Sequence, residues 1–194
     1  LVLEGKDVEL DKTIIEGLSD PLTHLVRNSA DHGVETPEQR TASGKKPQGT
    51  IILKAFHAAG QVNIEIIDDG KGIPIDKIAN KALSKGLVTE EQIKTMSDKD
   101  KANLIFMPGL STADQISDVS GRGVGMDVVK SNLDRLGGQV DIETEEGKGT
   151  SIRIKLPLTL AIIPSLLISV DSERFAIPQV NVVELIQIPA NPVY

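Results

Sequence analysis

The stretch QVNIEIIDDGKGI, residues 61–73, alternates apolar and polar side chains and then ends in two aspartates and two glycines. Val62, Ile64 and Ile66 occupy every second position, which predicts a β-strand with one buried face. The preceding segment TIILKAFH is joined to this strand by the short sequence AAG. The two segments are therefore expected to form a β-hairpin that ends at the aspartates.

The Asp-x-Gly-x-Gly sequence after this strand has two interpretations. On its own, an Asp-x-Gly-x-Gly sequence most often forms a plain turn, because aspartate and glycine favour turns. Alternatively, Asp68 ends the strand pointing inward and accepts a hydrogen bond from an exocyclic amine, which suits adenine, while Gly70 and Gly72 let the backbone pass close to a ring. A buried carboxylate needs a partner that offsets the cost of its burial, and Thr150, which opens a later strand after GKG, is the predicted partner.

The composition is that of an ordinary soluble globular protein, with 39% hydrophobic and 25% charged residues among 194. A net charge of −7 and an aromatic content of 2% argue against nucleic-acid binding, since such interfaces are usually basic and often stack bases on aromatic rings. The absence of cysteine excludes disulfides, thiol nucleophiles and cysteine–zinc sites, and it fits a reducing compartment. The apolar runs are too short to span a membrane as a helix, and no signal peptide is found. A chain that begins at Leu1 is interpreted as a piece of a longer protein.

A helical period runs over about residues 11–33, and one side of this helix is polar. Its members recur at offsets of 0, 3, 4, 7 and 8: His24, Arg27, Asn28, Asp31 and His32. Such a face is usually just solvated. Imidazoles and a carboxamide are unusual choices for that purpose, however, and Asn28 could ligate Mg²⁺ beside phosphates while the cationic groups face anionic oxygens.

The segment VSGRGVGMDVVK, residues 119–130, holds Gly121, Gly123 and Gly125 in five positions. It lacks the spacing of a dinucleotide fingerprint and the Gly-Lys-Ser/Thr of a P-loop. What remains is a flexible loop that leads into a helix N-terminus, where free N–H groups favour an anion. Lys77 and Lys81, four residues apart on a predicted helix, form either a solvated edge or a second set of phosphate contacts.

The remaining elements follow from the same patterns. The predicted elements are a strand or short hairpin over 1–10, a polar loop over 34–49, helices over 75–84, from Thr89 and over 98–106, a helix over about 125–136, and a hairpin formed by QVDIETE and TSIRIKL. Pro21 either kinks the first helix or starts a second one. The tail beyond Pro164 is strand-like throughout.

Four blocks in this order narrow the interpretation: DPLTHLVRNSADHGVE, IIDDGKGI, LIFMPGLSTADQISDVSGRGVGMDVVK and GKGTSIRIKLPLTLAI. They resemble the ATP-binding catalytic domain of CheA-type chemotaxis histidine kinases, whose superfamily includes type II topoisomerases, Hsp90 chaperones and mismatch-repair ATPases. The resemblance covers Leu1 to about Ile163, and the tail more weakly resembles the first strands of a receptor-coupling domain built from SH3-like barrels.

The resemblance implies an α+β two-layer sandwich of the Bergerat type. Its mixed, mainly antiparallel sheet is covered by helices on one face, and a partial all-β SH3-like segment follows. The implied domains are an ATP-binding domain over 1–157, with an ATP lid over about 106–125, and a linker with an incomplete β-barrel over 158–194.

The resemblance also implies roles for individual residues. Asn28 would ligate the Mg²⁺ of bound ATP, and Asp68 would read adenine with Gly70, Gly72 and Thr150 around it. The groups expected around the triphosphate are His24, Arg27, Asp31, His32, Lys77 and Lys81, of which His24, Arg27, Lys77 and Lys81 are assigned to catalysis. Further expected nucleotide contacts are Ile73, Phe106, Ser111, Thr112, Gly121, Arg122, Gly123, Val124, Gly125 and Met126. Leu110 departs from the family pattern, in which phenylalanine is more usual.

One position bears on the chemistry. In the ATPase branches of the superfamily, a glutamate four residues before the Mg²⁺-binding asparagine acts as general base for water, and here that residue is His24. The expected reaction is therefore transfer of the γ-phosphate to a histidine rather than hydrolysis, because neutral imidazole is a good nucleophile. An ATPase or ATP-gated clamp of the same fold and a non-catalytic coupling module are the alternatives.

The resemblance implies partners outside this chain. They are a phosphoacceptor histidine domain, response regulators, an adaptor coupling protein and chemoreceptors reached through the β-rich tail, and a second copy of the full protein joined through a domain absent here. ATP and Mg²⁺ are the expected cofactors. Neither nucleic-acid binding nor membrane insertion is expected, and the expected location is cytoplasmic.

Overall fold

The computed structural model describes residues 1–6, 8–110, 125–158, 165–171 and 173–179, together with Val182 and Glu184. The chain divides into two compact units, Leu1–Leu160 and Ala161–Tyr194. Of the helices in the described ranges, none combines the length and apolarity needed to cross a bilayer.

A five-stranded mixed sheet forms the centre of the first unit, in the order β1-β2-β3-β5-β4. Its strands are β1 (Val2–Glu4), β2 (Ile51–Ala58), β3 (Gln61–Asp68), β4 (Gln139–Glu145) and β5 (Gly149–Pro157). Only the edge pair β1–β2 is parallel within this sheet, and the other three pairs are antiparallel. The predicted hairpins β2–β3 and β4–β5 are confirmed, and β3 and β5 meet at the centre of the sheet.

The helices of the first unit are α1 (Lys12–Asn28), α2 (Pro37–Ala42), α3 (Ile75–Ser84), α4 (Glu90–Thr95), α5 (Asp98–Asn103) and α6 (Met126–Arg135). Side chains of α1, α5 and α6 pack on one face of the sheet, against the alternate strand positions that include Ile64, Ile66 and Ile154. A smaller cluster joins α3 and α4 to Leu104 and Leu110. The predicted α+β fold with helices on one face is confirmed.

One local prediction differs from the structure, and one alternative for Pro21 is excluded. Residues 34–49 were expected to be a polar loop, and this is wrong, because Thr36 caps a short helix with Pro37 in its first turn and a reciprocal bond to Gln39. Pro21 lies inside a continuous α1, which ends at Asn28 and passes into a single π-helical turn, Ser29–Gly33.

The second unit contains an antiparallel hairpin of β6 (Ser165–Val170) and β7 (Glu173–Pro178). Its strand-like character agrees with the predicted β-rich tail. The SH3-like barrel and the domain boundary at residue 157 stay predictions.

Candidate functional site

A cavity of about 660 Å³ opens in the first unit, between the end of α1, the start of α3 and α6, and the sheet. This volume lies within the usual range for small-molecule sites. Nine predicted site residues line it: Asn28, His32, Asp68, Gly72, Ile73, Lys77, Lys81, Met126 and Thr150. The wall also contains apolar side chains from helices and sheet, among them Leu25, Ile142 and Ile152.

Asp68 is the most constrained polar group in this wall. It is the last residue of β3, it pairs with Thr150 of β5, and only 6% of its surface is exposed. Its Oδ1 accepts hydrogen bonds from the backbone N–H groups of Gly70 at 3.1 Å and Thr150 at 3.3 Å. Among the described residues, no donor bonds to Oδ2, so one carboxylate oxygen is left for a ligand.

Thr150 partners Asp68 through its backbone, whereas its hydroxyl lies 3.2 Å from the hydroxyl of Thr144. Thr144 in turn accepts a hydrogen bond from the backbone N–H of Ile73 at 2.8 Å. This chain of contacts ties the β4–β5 hairpin to the loop after β3, and it places Ile73 and Thr150 in the same part of the cavity wall.

The glycines of Asp-x-Gly-x-Gly are required by backbone packing. A Cβ atom on Gly70 would lie 2.5 Å from the carbonyl carbon of Gly33 and 2.9 Å from Asp68 Oδ1. Gly72 has a φ of +71°, and a Cβ atom there would meet the backbone of Glu145. The Lys71 N–H donates to the Gly33 carbonyl at 2.9 Å, so the end of the π turn and this loop are in direct contact.

The predicted polar helix face reaches the cavity only at the last residue of α1 and in the π turn that follows it. Asn28 and His32 line the cavity, while His24, Arg27 and Asp31 do not belong to its wall. His24 lies one turn before Asn28, away from the end of the helix, and it is half-buried. Its burial, and then the charges of Arg27 and His32, lower the pKa of His24, which keeps the imidazole neutral at neutral pH.

Asn28 lines the cavity and offers one amide oxygen and one amide nitrogen. Its Nδ2 group lies 3.4 Å from the sulfur of Met126, in the first turn of α6. No partner bonds to Oδ1 among the residues that the structure describes. Within those residues there is also no cluster of three His, Asp or Glu side chains fit to hold a metal by themselves. Mg²⁺ commonly binds one or two protein oxygens and completes its shell with phosphates and water, so a single carboxamide fits that pattern.

Three lysines contribute positive charge to the wall. Lys77 and Lys81 lie one turn apart on α3, as predicted, and the third lysine, Lys71, was not predicted. Lys71 stands between the two glycines of Asp-x-Gly-x-Gly, a position that the sequence pattern treats as free. Lysine ammonium groups suit the oxygens of a phosphate chain.

The other residues predicted to contact the nucleotide do not line the cavity or lie outside the described residues. Phe106 is 5% exposed and packs in the main core, outside the cavity wall. Gly125 is the N-cap of α6, and Gly70 lies behind the wall against Gly33. Leu110 is buried and lines the cavity, next to Gly109, whose carbonyl accepts a bond from Lys85. The predictions for Ser111, Thr112, Gly121, Arg122, Gly123 and Val124 lie outside the described residues.

A buried ionic cluster beside the cavity was missed altogether. Arg40 is 2% exposed, and it donates to Glu35 at 3.1 Å and to the carboxylate of Asp69 at 2.9 Å. Lys45 donates to Glu35 at 2.8 Å. Burial alone would raise the pKa of Glu35, but the bonds from Lys45 and its own backbone N–H, with the charges of Lys45 and Arg40, hold that pKa below its usual range. The sequence signal was Thr-Pro-Glu-Gln at 36–39, the capping pattern that correctly predicted the helix after Thr89.

The part of the chain that forms this cavity matches a known protein family. The model of the family described as histidine kinase-, DNA gyrase B- and HSP90-like ATPases matches residues 17–160, a range that contains the whole described cavity wall. The chain belongs to this ATPase family. The match begins inside α1 and ends just after β5, so it covers the first unit apart from β1 and the start of α1.

Within this ATPase family, the chain is similar to named chemotaxis proteins. It is 51% identical over 184 residues to the chemotaxis protein CheA of Bacillus subtilis and 53% identical over 187 residues to that of Klebsiella aerogenes. It is 46% identical over 194 residues to the sensor histidine kinase CheAY of Helicobacter pylori. These alignments cover 95%, 96% and 100% of this chain and 27%, 28% and 24% of the relatives. The chain thus spans about a quarter of the length of the curated relatives it matches.

Two solved structures are similar in outline. The histidine kinase domain of the blue-light-activated kinase EL346 from Erythrobacter litoralis aligns with a TM-score of 0.47 and 16% identity, over 80% of this chain and 53% of that domain. The catalytic domain of the histidine kinase ThkA aligns with a TM-score of 0.45 and 20% identity, over 81% of this chain and 76% of that domain.

Proposed function

We propose that this chain binds Mg²⁺-ATP in the cavity and, as part of a longer chemotaxis histidine kinase, directs the γ-phosphate to a histidine on a separate domain. The observation that carries the proposal is Asp68, a nearly buried carboxylate with Oδ1 held by two backbone N–H groups and Oδ2 left for a ligand. The similarity to CheA proteins supports the kinase assignment.

The adenine end of the proposed site is built around Asp68. The exocyclic amine of adenine donates to Oδ2, and the apolar surfaces of Ile73, Ile142 and Ile152 cover the ring. Guanine has a carbonyl oxygen where adenine has its amine. That oxygen and Asp68 Oδ2 are both acceptors, so the carboxylate would be left without a hydrogen bond. The site therefore favours ATP over GTP.

The phosphate end uses cations and one amide. Lys71, Lys77 and Lys81 neutralise phosphate oxygens, and His32 lies in the same wall. Asn28 Oδ1 holds Mg²⁺ together with the phosphates and water. When bound, Mg²⁺ neutralises the charge that develops on the phosphate oxygens. Asn28 contacts the side chain of Met126, the first residue of α6, so the N-terminus of that helix is near the phosphate end.

Transfer is favoured over hydrolysis by the charges around Asn28. Within the described part of the wall, the carboxylates are Asp68, at the end of β3, and Glu146, in the turn between β4 and β5. Neither of these two lies on α1, and the residue four positions before Asn28 is His24 rather than a glutamate. A neutral histidine from another domain attacks the γ-phosphorus, a nitrogen–phosphorus bond forms as the bond to the bridging oxygen breaks, and ADP leaves. Arg27, which precedes Asn28 on α1, adds positive charge nearby, whereas His24, one turn earlier, is neutral at neutral pH.

The partners proposed for the full protein follow from the CheA relatives. They are the phosphoacceptor histidine domain, response regulators, an adaptor coupling protein with chemoreceptors, and a second copy of the protein. A cytoplasmic location is proposed on the same basis.

Transfer and hydrolysis are separated by one assay. The chain is mixed with γ-labelled ATP and Mg²⁺, with and without a histidine phosphoacceptor domain from a CheA relative. Label on the acceptor histidine, with slow release of inorganic phosphate in its absence, is expected. Fast phosphate release without the acceptor would favour an ATPase or ATP-gated clamp. The absence of both reactions, with no ATP binding, would overturn the proposal.

A further inference from the structure

We propose that Arg40 and Lys45 are positioning residues for adenine recognition and act on Asp68 through a single peptide group. This inference rests on the proposed function, because it concerns the same carboxylate that is assigned to adenine. Neither side chain lines the cavity, so neither is a catalytic residue.

The peptide group in question joins Asp69 to Gly70. Its carbonyl oxygen accepts hydrogen bonds from Arg40 Nη1 and Lys45 Nζ, both at 3.0 Å. Its N–H, on the other side of the same peptide plane, donates to Asp68 Oδ1 at 3.1 Å. Two cationic donors on the carbonyl polarise the peptide and strengthen the N–H as a donor. The Arg40 and Lys45 charges therefore strengthen the hydrogen bond to the Asp68 carboxylate, although neither side chain bonds to that carboxylate.

The cluster also fixes the orientation of the loop. Lys45 Nζ donates to the Gly70 carbonyl at 2.6 Å, so the peptide groups on both sides of Gly70 are held. Arg40 Nε donates to the Lys46 carbonyl at 2.8 Å, and Arg40 Nη2 bonds to the Asp69 carboxylate. These bonds leave Arg40 little freedom to move.

The consequence concerns one oxygen of Asp68. While the 69–70 peptide is fixed, Oδ1 stays bonded to the Gly70 and Thr150 N–H groups, and Oδ2 is the oxygen available to the ligand. Loss of the Lys45 cation removes one of the two donors to the Asp69 carbonyl and the donor to the Gly70 carbonyl, which weakens the hold on this peptide and on the carboxylate that it orients. ATP then loses the part of its affinity that comes from the bond between the adenine amine and Asp68. Its contacts with the rest of the cavity are unchanged.

The test compares two neighbouring lysines in the 194-residue chain. Lys45→Gln removes the Lys45 bonds to the Asp69 and Gly70 carbonyls. Lys46→Gln is the matched control, because the Lys46 side chain is exposed and forms no hydrogen bond or ion pair within the described residues. Dissociation constants are measured by calorimetry for ATP and for purine riboside triphosphate, which lacks the 6-amine. Arg40→Lys is measured as a second variant that keeps the charge and loses the planar fork.

The inference predicts that Lys45→Gln weakens ATP binding by roughly tenfold while binding of the purine analogue changes by less than about twofold. Lys46→Gln should match the wild-type chain for both nucleotides. In an Asp68→Asn background, Lys45→Gln should have no further effect on ATP binding, since the 69–70 peptide then has no carboxylate to orient.

Two results would overturn the inference while leaving the proposed function intact. In one, Lys45→Gln weakens both nucleotides equally, as a general loss of structure would. In the other, it changes neither, although the wild-type chain prefers ATP. If the wild-type chain binds no ATP, or does not distinguish it from the purine analogue, the proposed adenine site itself fails.

Discussion

Replacement of Gly70 by alanine tests whether close backbone packing assembles the site. The added Cβ atom would lie 2.5 Å from the Gly33 carbonyl carbon, so the two backbones must separate by about 1 Å to reach ordinary contact at about 3.4 Å. The Lys71 N–H bond to the Gly33 carbonyl, now 2.9 Å, would lengthen or break. Overpacking of this kind costs roughly 1–3 kcal/mol, and the hydrogen bond about 1 kcal/mol more.

The assay is urea unfolding with and without ATP. ATP at a concentration of 100 times its dissociation constant should raise the free energy of unfolding of the wild-type chain by about 2.7 kcal/mol. A loop shift of about 1 Å should weaken binding at least tenfold, which would reduce that gain to about 1.4 kcal/mol or less.

A second glycine supplies the control for Gly70→Ala. Gly86 follows α3 with a φ of +68°, and a Cβ atom there would meet no atom within 4 Å. Gly86→Ala should cost roughly 1–2 kcal/mol through backbone strain alone and should keep the full stabilisation by ATP. An unchanged free energy of unfolding and an unchanged ATP response in Gly70→Ala would refute the packing argument.

Three further predictions concern other parts of the first unit. Asn28→Ala should weaken ATP binding, measured by calorimetry, roughly tenfold in the presence of Mg²⁺ and leave it unchanged in EDTA. Equal losses of affinity in both conditions would contradict the Mg²⁺ role. Because the folded pKa of Glu35 is lowered, its stabilising contribution is full above its usual pKa of 4.5 and is lost as the pH falls through the folded value. Glu35→Gln should therefore cost about 1–3 kcal/mol at pH 7 and flatten the loss of stability below pH 4.5 in acid titrations of unfolding; an unchanged acid profile would count against the ionic cluster. Leu133→Ala, at a fully buried position of α6, should cost about 2–5 kcal/mol in urea unfolding, and a cost below 1 kcal/mol would contradict its place in the core.

The sheet and the Asp68 corner of the cavity were predictable because their signals are local. Alternation at Val62, Ile64 and Ile66 specifies a buried strand face, and the acid–glycine turn after it specifies where the strand ends. The partnership of Asp68 with Thr150 could be anticipated, since Asp68 ends one strand and Thr150 opens another after a Gly-Lys-Gly turn. The structure adds that the partner group is the Thr150 backbone N–H.

The ionic cluster was not predictable in the same way. Arg40, Lys45 and Asp69 are polar residues in segments without apolar periodicity, and polarity in a sequence normally indicates exposure. Arg40 is buried only because acceptors from three separate segments surround it. Helical spacing put five polar residues on one face of the first helix, and two of them, Asn28 and His32, line the cavity; His32 does so from the π turn that follows α1.

The most direct test of the account is a crystal structure of this chain with Mg²⁺ and a non-hydrolysable ATP analogue. The account predicts the adenine amine within about 3.2 Å of Asp68 Oδ2, with Oδ1 still bonded to the Gly70 and Thr150 N–H groups. It also predicts the metal on Asn28 Oδ1 and the phosphates beside Lys77 and Lys81. A nucleotide bound elsewhere, or bound in this cavity with its base away from Asp68, would contradict it.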